Sequence, residues 1–184
     1  ESFASPALGD FDNDGLLDLF FSTVYPRDHC VLYRNMGNWK FTDATKATGI
    51  SGRLTYQATW ADFDNDGDLD LLTGGKLFRN ALRGSGWLKV RLVGDGRRIN
   101  RDAVGAQVRI AIGGRTLTRQ VETGTGEGNQ NDPTLHFGLG AVGGEVTVAV
   151  CWPDGTTQKL TVKPNRTIVI RHAPAAAQAV GPKR

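Results

Sequence analysis

Residues 8–20 have the sequence Leu8-Gly9-Asp10-Phe11-Asp12-Asn13-Asp14-Gly15-Leu16-Leu17-Asp18-Leu19-Phe20. The pattern returns further along the chain as Trp60-Ala61-Asp62-Phe63-Asp64-Asn65-Asp66-Gly67-Asp68-Leu69-Asp70-Leu71-Leu72, and Val31-Leu32-Tyr33-Arg34-Asn35 is matched by Lys76-Leu77-Phe78-Arg79-Asn80. Short apolar runs with aromatics, separated by Gly, Asn and Asp, predict strands and turns. An all-β repeat of this length is typical of a propeller blade.

The acidic residues of the repeat have the spacing of a calcium-binding loop. Four carboxylates held this close repel each other, by roughly 4 kcal/mol for a pair about 4 Å apart at an effective dielectric of about 20, so a compact loop needs a cation. Oxygen ligands on a flexible loop favour Ca²⁺, and Gly15 and Gly67 permit the sharp turn. We therefore predict two calcium sites, which consist of Asp10, Asp12, Asp14 and Asp18 with the backbone carbonyl of Leu16, and of Asp62, Asp64, Asp66 and Asp70 with that of Asp68.

Three other interpretations of the loops are possible. An EF-hand needs a bidentate Glu at position 12, where Phe21 and Thr73 stand, and a helix where the sequence is strand-like. A second interpretation is that these Asp residues only form solvated turns, in which Asp, Asn and Gly are common. It does not explain why an Asp recurs at the ninth position of both loops. A catalytic carboxylate pair of the glycosidase kind is disfavoured by two identical quartets, in which we expect no acid to have an apolar environment.

The second half of the chain predicts a different all-β module. Its strand candidates alternate or are rich in β-branched residues, and the turns between them contain pairs such as Gly113-Gly114. Seven short strands in this length suggest a β-sandwich. The candidates are Trp87–Val93, Ala106–Ile112, Thr116–Glu122, Thr134–Phe137, Val146–Trp152, Gln158–Val162 and Thr167–Arg171.

The first half resembles the FG-GAP or VCBS repeat. The resemblance rests on the Asp-Phe-Asp-Asn-Asp-Gly-x-x-Asp loop, the Leu-Tyr-Arg-Asn-x-Gly segment, Phe41-Thr42-Asp43-Ala44-Thr45 and Thr48-Gly49-Ile50. It implies β-propeller blades of the integrin-α type, with Ca²⁺ in a loop between adjacent strands. A propeller typically has 4 to 8 blades, whereas this chain holds one full repeat and part of another. We therefore expect the remaining blades in the same, longer polypeptide or in a partner chain.

The second half is similar to the ASPIC/UnbV domain of secreted proteins of the cartilage acidic protein type and of bacterial homologues. The motifs are Asn100-Arg101-Asp102-Ala103-Val104-Gly105-Ala106-Gln107-Val108, His136-Phe137-Gly138-Leu139-Gly140 and Val150-Cys151-Trp152-Pro153-Asp154-Gly155, in the family's order. Residues 124–130 depart from the family's usual Gly-rich stretch. The predicted organisation is all-β: a partial β-propeller of FG-GAP/VCBS blades (1–83), a β-sandwich-like ASPIC/UnbV domain (84–172) and a flexible tail (173–184).

Composition and charge narrow the classes of function. The 184 residues carry a net charge of +3, yet residues 1–83 hold 8 basic and 12 acidic residues and the remainder 14 and 7. This asymmetry suggests two modules with different roles. No apolar window is long enough for a membrane span. A basic cluster consists of Arg97, Arg98 and Arg101, with Arg91 and Arg109 nearby. It is either a solvated loop or a surface that binds an anionic glycan or protein. Because no aromatic residues are interleaved with these arginines, the cluster does not suggest nucleic-acid binding.

No nucleophile or acid-base set is evident, so we expect a non-enzymatic protein. His136 is interpreted as structural, and Cys30 and Cys151 are either bonded to each other or separate thiols. The sequence favours a calcium-binding binding, cell-adhesion or scaffold module that is secreted, periplasmic or at the cell surface. The alternative is a structural or accessory subunit of a larger enzyme or electron-transfer complex.

Overall fold

The computed structural model describes residues 3–51, 54–82, 84–126, 128–141 and 143–173. Most of the predicted tail, 173–184, lies outside this part of the chain. The described residues form fourteen strands and one single-turn helix, α1 (Thr45–Thr48). The strands are β1 (Ser5–Gly9), β2 (Asp18–Ser22), β3 (Val31–Asn35), β4 (Phe41–Asp43), β5 (Ala58–Ala61), β6 (Asp70–Thr73), β7 (Lys76–Phe78), β8 (Gly86–Val93), β9 (Gln107–Ile112), β10 (Arg115–Gln120), β11 (Leu135–Gly140), β12 (Val146–Cys151), β13 (Thr157–Val162) and β14 (Arg166–Arg171).

The repeat folds into two antiparallel sheets. Their orders are β1-β2-β3-β4 and β5-β6-β7, each a meander in which consecutive strands pair. Alternation along the strands places Ala7, Phe20 and Leu32 of the first sheet in one core with Trp60 and Leu71 of the second. The two sheets therefore pack on each other through one face of each. Neither closes into a ring, so the propeller stays a prediction.

The second half forms a four-stranded sheet, β10-β9-β12-β13, and a three-stranded sheet, β11-β8-β14. Both contribute side chains to one core, such as Leu88 and Val90 from β8 and Val108, Ile110 and Val148 from the other sheet. All pairings are antiparallel except that of β14 with β8. Two sheets on one core are the arrangement of a β-sandwich.

The all-β prediction is confirmed, and the strands of the second half lie within a few residues of the predicted ranges. The acidic loops connect β1 to β2 and β5 to β6. Each loop therefore begins and ends at two neighbouring strands of one sheet. The sandwich packs against both loops.

Candidate metal centres

In the first loop, residues 10–17, three carboxylates converge. Asp10, Asp12 and Asp18 each place an oxygen within 4.8 Å of the others. Asp10 Oδ1 accepts from the Asp14 amide (3.1 Å) and Oδ2 from the Gly15 amide (2.9 Å). These bonds curl the loop around its first residue, and Asn13 and Gly15 adopt positive φ angles of 58° and 91° to allow it. The loop is thus folded so that its carboxylates face one point.

The second loop, residues 62–69, repeats this construction. Asp62, Asp64 and Asp70 form the corresponding group within 4.8 Å, and Asp62 Oδ2 accepts from the Gly67 amide at 3.1 Å. Asn65 and Gly67 have φ angles of 60° and 96°, close to those of their counterparts. The sequence repeat is therefore also a geometric repeat.

The Arg-Asn pair that follows each loop explains why that part of the sequence is repeated too. Arg34 forms ion pairs with Asp12 and Asp14, and Arg79 does so with Asp64 (2.6 Å) and Asp66 (3.4 Å). The backbone N–H groups of Asn35 and Asn80 donate to the carboxylates at the ninth position of each loop, Asp18 and Asp70, at 2.7 Å in both copies. Each arginine thus partly offsets the acidic charge, and each asparagine orients the last carboxylate.

Not every predicted ligand joins these groups. Asp14 and Asp66 pair with the arginines, while their Oδ1 atoms accept from the amides of Leu16 (2.8 Å) and Asp68 (3.0 Å). Asp68 Oδ1 accepts a hydrogen bond from the side-chain amide of Asn13 in the other loop, at 2.9 Å. The structure therefore brings together six of the predicted carboxylates, three in each loop.

The donor set suits a hard cation. Within the described residues, the buried oxygens Asp12 Oδ1 and Asp62 Oδ1 have no hydrogen-bond partner. A buried carboxylate oxygen without a partner is costly, and a bound cation would remove that cost. Carboxylate oxygens alone, without His or Cys, match Ca²⁺ chemistry.

The sandwich packs directly on the first acidic loop. Gly138 of β11 donates its amide to Asp10 Oδ2 (3.1 Å), and the Gly140 amide donates to the Asn13 carbonyl (2.8 Å). A side chain at position 138 would collide with this carboxylate, since a Cβ added there would lie 2.3 Å from Asp10 Oδ2. From β10, Arg119 lies 4.0 Å from the same oxygen and Arg115 donates to the Asp14 carbonyl (3.1 Å).

The second loop is covered by the outer face of the β11-β8-β14 sheet. Lys89 Nζ donates to Asp62 Oδ2 (2.8 Å) and Asn65 Oδ1 (3.0 Å), and its side chain is 5% exposed. His136, opposite Lys89 in the sheet, places Nε2 2.9 Å from the Gly67 carbonyl. The ring of Trp87 packs so closely on Gly67 that a Cβ there would lie 2.0 Å from it. The basic second module and the acidic first module thus meet at the loops.

Burial raises the pKa of several loop carboxyls. Desolvation, opposed by Arg119, raises the pKa of Asp10 to about 7. Burial also raises the pKa of Asp18 to about 7, against the hydrogen bonds from Asn35 and Phe11, and that of Asp68 to about 6. The expectation that no acid has an apolar environment is therefore wrong, because the sandwich and the neighbouring sheet cover the loops.

These shifts predict how stability depends on pH without metal. Between about pH 4 and 7 the folded carboxyls hold protons that the unfolded chain has lost, so stability falls as pH rises. His136 acts in the opposite sense, since burial lowers its pKa to about 4. It is one group, however, whereas the pKa is raised for five loop carboxyls: Asp10, Asp12, Asp18, Asp68 and Asp70. We expect the melting temperature in EGTA to fall by several degrees from pH 5 to pH 8.

Differential scanning fluorimetry at fixed ionic strength tests this dependence. Excess Ca²⁺ is the control, because a cation bound to ionised carboxylates should remove the decline. A melting temperature in EGTA that is level or rises from pH 5 to pH 8 would contradict the prediction.

Other residues singled out in the sequence lie away from the loops. Arg97, Arg98 and Arg101 are exposed, as expected for a basic surface. No disulfide joins Cys30 to Cys151; the first is buried in the repeat core and the second ends β12. The described residues contain no helix long and apolar enough to cross a membrane.

The sequence alone did not identify the groups of the sandwich that face the loops: Lys89, Arg119, Gly138 and, beyond a structural role, His136. A signal was present, because Lys89 lies between Leu88 and Val90, and His136 between Leu135 and Phe137. Buried charges are rare unless they are paired. The pattern could show that these positions needed partners, but it could not show which partners.

Comparison with protein families supports both halves of the interpretation. Residues 10–73 match the family model of an FG-GAP-like repeat, and residues 96–177 match that of ASPIC and UnbV. Both resemblances inferred from the motifs are confirmed, in the expected order along the chain. FG-GAP repeats are typical of extracellular proteins. A comparison with curated proteins found no match.

Proposed function

We propose that this chain, in which an FG-GAP-like repeat precedes an ASPIC and UnbV domain, is a non-enzymatic, calcium-stabilised binding or scaffold module of extracytoplasmic proteins. One observation carries the calcium part of the proposal. Each acidic loop brings three carboxylates together with a buried oxygen that has no partner among the described residues. The family matches support the extracellular repeat or adhesion class more broadly.

The residues that would hold the ions also connect the two modules. Asp10 and Asp62 each belong to a carboxylate group and also accept a hydrogen bond from the sandwich, from Gly138 and Lys89 respectively. A bound Ca²⁺ would supply the charge that offsets carboxylate repulsion in each loop. The bound ions would thus keep the loops folded, and the folded loops form the surface on which the sandwich packs.

The outer face of the β5-β6-β7 sheet supports the proposal of further blades. Leu72 and Leu77 face each other across β6 and β7, and they are 47% and 49% exposed. An exposed leucine pair on this face fits contact with an additional sheet of the same or a partner polypeptide.

Calcium titration tests the proposed function. A ligand at 100 times its Kd stabilises the folded state by about 2.7 kcal/mol, so the melting temperature should be roughly 5–10 °C higher in Ca²⁺ than in EGTA. Calorimetry of the EGTA-treated chain should also show two binding events. Equal melting temperatures in Ca²⁺ and EGTA would contradict the proposal.

Amide variants separate metal binding from general stability. Asp12→Asn and Asp64→Asn should each reduce the Ca²⁺-induced shift. In EGTA they should change stability little, because relief of carboxylate repulsion offsets the loss of the exposed ion pairs with Arg34 and Arg79. Asp102→Asn is the matched control, since its side chain is 72% exposed and lies outside both loops. If all three variants kept the full calcium shift, the loops would not be the calcium sites.

A further inference from the structure

The two acidic loops are joined directly by two asparagine side chains, one from each copy of the repeat. Asn13, in the middle of the first loop, donates its side-chain amide to Asp68 Oδ1 (2.9 Å) and to the Gly67 carbonyl (3.3 Å) of the second loop. Asn80, which follows the second loop, donates its side-chain amide to the Phe11 carbonyl of the first at 2.6 Å. Contacts between the loops therefore come from both copies.

Within the described residues, the equivalent asparagines make no hydrogen bond to the other loop. Asn65, the counterpart of Asn13, has nearly the same φ angle, 60° against 58°, but its side chain accepts from Lys89 of the sandwich. Asn35, the counterpart of Asn80, donates its side-chain amide to a carbonyl of its own loop. The two bridging contacts thus depend on how the loops lie beside each other, and the sequence repeat alone does not specify them.

Each bridging asparagine is closely connected to a group of converging carboxylates. Asn13 is fully buried and follows Asp12 in the chain, while the backbone N–H of Asn80 donates to Asp70 at 2.7 Å. On the receiving side, Asp68 lies two residues before Asp70. Since both contacts need the folded shapes of both loops, ordering one loop positions groups that order the other.

The sandwich joins the same two loops through a single strand. In β11, His136 Nε2 lies 2.9 Å from the Gly67 carbonyl, and Gly138 donates its amide to Asp10 Oδ2 at 3.1 Å. These two residues are only two positions apart. A shift of β11 relative to one loop would therefore also change its contact with the other loop.

These contacts favour positive coupling between the loops. Without a cation, carboxylate repulsion opposes the folded shape of each loop. Once the first loop is ordered around an ion, Asn13 is fixed against the second loop, which then loses less conformational entropy on binding. Charge opposes this coupling only in part, because three carboxylates around one Ca²⁺ keep one net negative charge, so a filled loop does not repel a second cation.

We propose that the two acidic loops bind Ca²⁺ with positive cooperativity, and that the side chains of Asn13 and Asn80 transmit the coupling. The inference rests on the proposed calcium binding and adds that the loops fill together. The surface on which the sandwich packs would then become ordered over one narrow range of calcium concentration.

NMR of the backbone amides, in EGTA-buffered calcium solutions, tests the coupling in the full chain. The amides of Gly15 and Gly67 donate to the first carboxylate of their own loops, at 2.9 and 3.1 Å, so each reports on its own loop. Both should follow one curve with a Hill coefficient above about 1.4, the value for roughly fivefold coupling between two equal sites. A lower coefficient, or two separate curves, would overturn the proposal.

The first pair of variants tests the contact made by Asn13. Glycine accepts a positive φ angle without strain, so Asn13→Gly removes the side chain and leaves the backbone of the loop favourable. It should lower the Hill coefficient toward 1 and separate the two curves. Asn65→Gly is the matched control, with the same position in its loop, and it should keep one common curve. Equal Hill coefficients in the two variants would contradict the assignment of Asn13.

The second pair of variants tests the contact made by Asn80. Asn80→Ala removes the side-chain bond to the first loop but keeps the backbone N–H that donates to Asp70. It should also lower the Hill coefficient toward 1. Asn35→Ala is the control, because it loses only a side-chain bond within its own loop. A coefficient that falls as far in the control would show that Asn80 does not transmit the coupling.

The parent titration distinguishes this inference from the proposed function. If neither glycine amide shifts on calcium addition, the chain does not bind the ion, and both proposals fail. If both amides shift along independent curves, calcium binding stands and only the coupling is overturned. The parent result does not depend on whether any variant folds.

Discussion

Replacing Lys89 with methionine should lower the free energy of unfolding in EGTA at pH 7 by about 3–5 kcal/mol, the usual cost of removing one partner of a buried ion pair. The side chains of Lys89 and Asp62 are 5% and 1% exposed, and their charged atoms are 2.8 Å apart. Without the ammonium group, the buried carboxylate of Asp62 loses its charged partner. Urea denaturation of both proteins measures the loss.

Arg91→Met is the matched control for this variant. Arg91 lies two residues away on β8, but its partner Asp102 is 72% exposed and the contact is 3.2 Å. Exposed ion pairs contribute only about 0–1 kcal/mol, so this variant should lose little. A loss for Lys89→Met no larger than that for Arg91→Met would show that the buried pair does not hold the modules together.

The Lys89 variant should also respond more strongly to calcium than the parent. Asp62 belongs to a proposed metal site, and a bound cation there would replace part of the missing positive charge. The loss caused by Lys89→Met should therefore be smaller in Ca²⁺ than in EGTA. An equal loss in both conditions would mean that Lys89 and the proposed ion act independently.

Replacing Gly67 with alanine should be the other strongly destabilising change, with an expected loss of about 2–5 kcal/mol. A Cβ at this position would lie 2.0 Å from the Trp87 ring, and the residue has a φ angle of 96°. Overpacking typically costs about 1–3 kcal/mol, and a left-handed backbone adds about 1–2 kcal/mol for a residue with a side chain. Trp87 would have to leave the loop surface to relieve the contact.

Gly75→Ala separates the two contributions. Gly75 has a φ angle of 73°, but a Cβ there would meet nothing within 4 Å. It should therefore show only the backbone cost, with Gly67→Ala less stable by a further 1–3 kcal/mol or so in urea denaturation. Near-UV circular dichroism should report the displaced Trp87 ring. Equal losses in the two alanine variants would mean that the contact between modules is not tight at Gly67.

The local structure of this protein could be predicted from its sequence. The spacing of Asp10, Asp12 and Asp18 within nine residues defines the loop, and the same residues converge in the structure. Apolar alternation located the strands of the sandwich, such as β8 and β12, to within one or two residues. These features depend on residues close together in the chain, so short-range patterns are sufficient to predict them.

The predicted ligand set was broader than the observed groups for a related reason. Spacing alone treats Asp14 and Asp66 as equivalent to their neighbours. In the structure their carboxylates turn to the backbone amides of Leu16 and Asp68 inside the same loops. Spacing within a loop therefore predicts which residues can converge, and the conformation of the folded loop decides which ones do.

What surrounds the loops was decided by tertiary structure alone. The contact of Lys89 with Asp62 joins residues 27 positions apart, and that of Gly138 with Asp10 joins residues 128 apart. The sequence showed an acidic first half and a basic second half, but not that the two meet at the loops. Desolvation of Asp10, and with it the raised pKa, follows from this contact. Burial depends on which surfaces pack together, and no local pattern of residues specifies that.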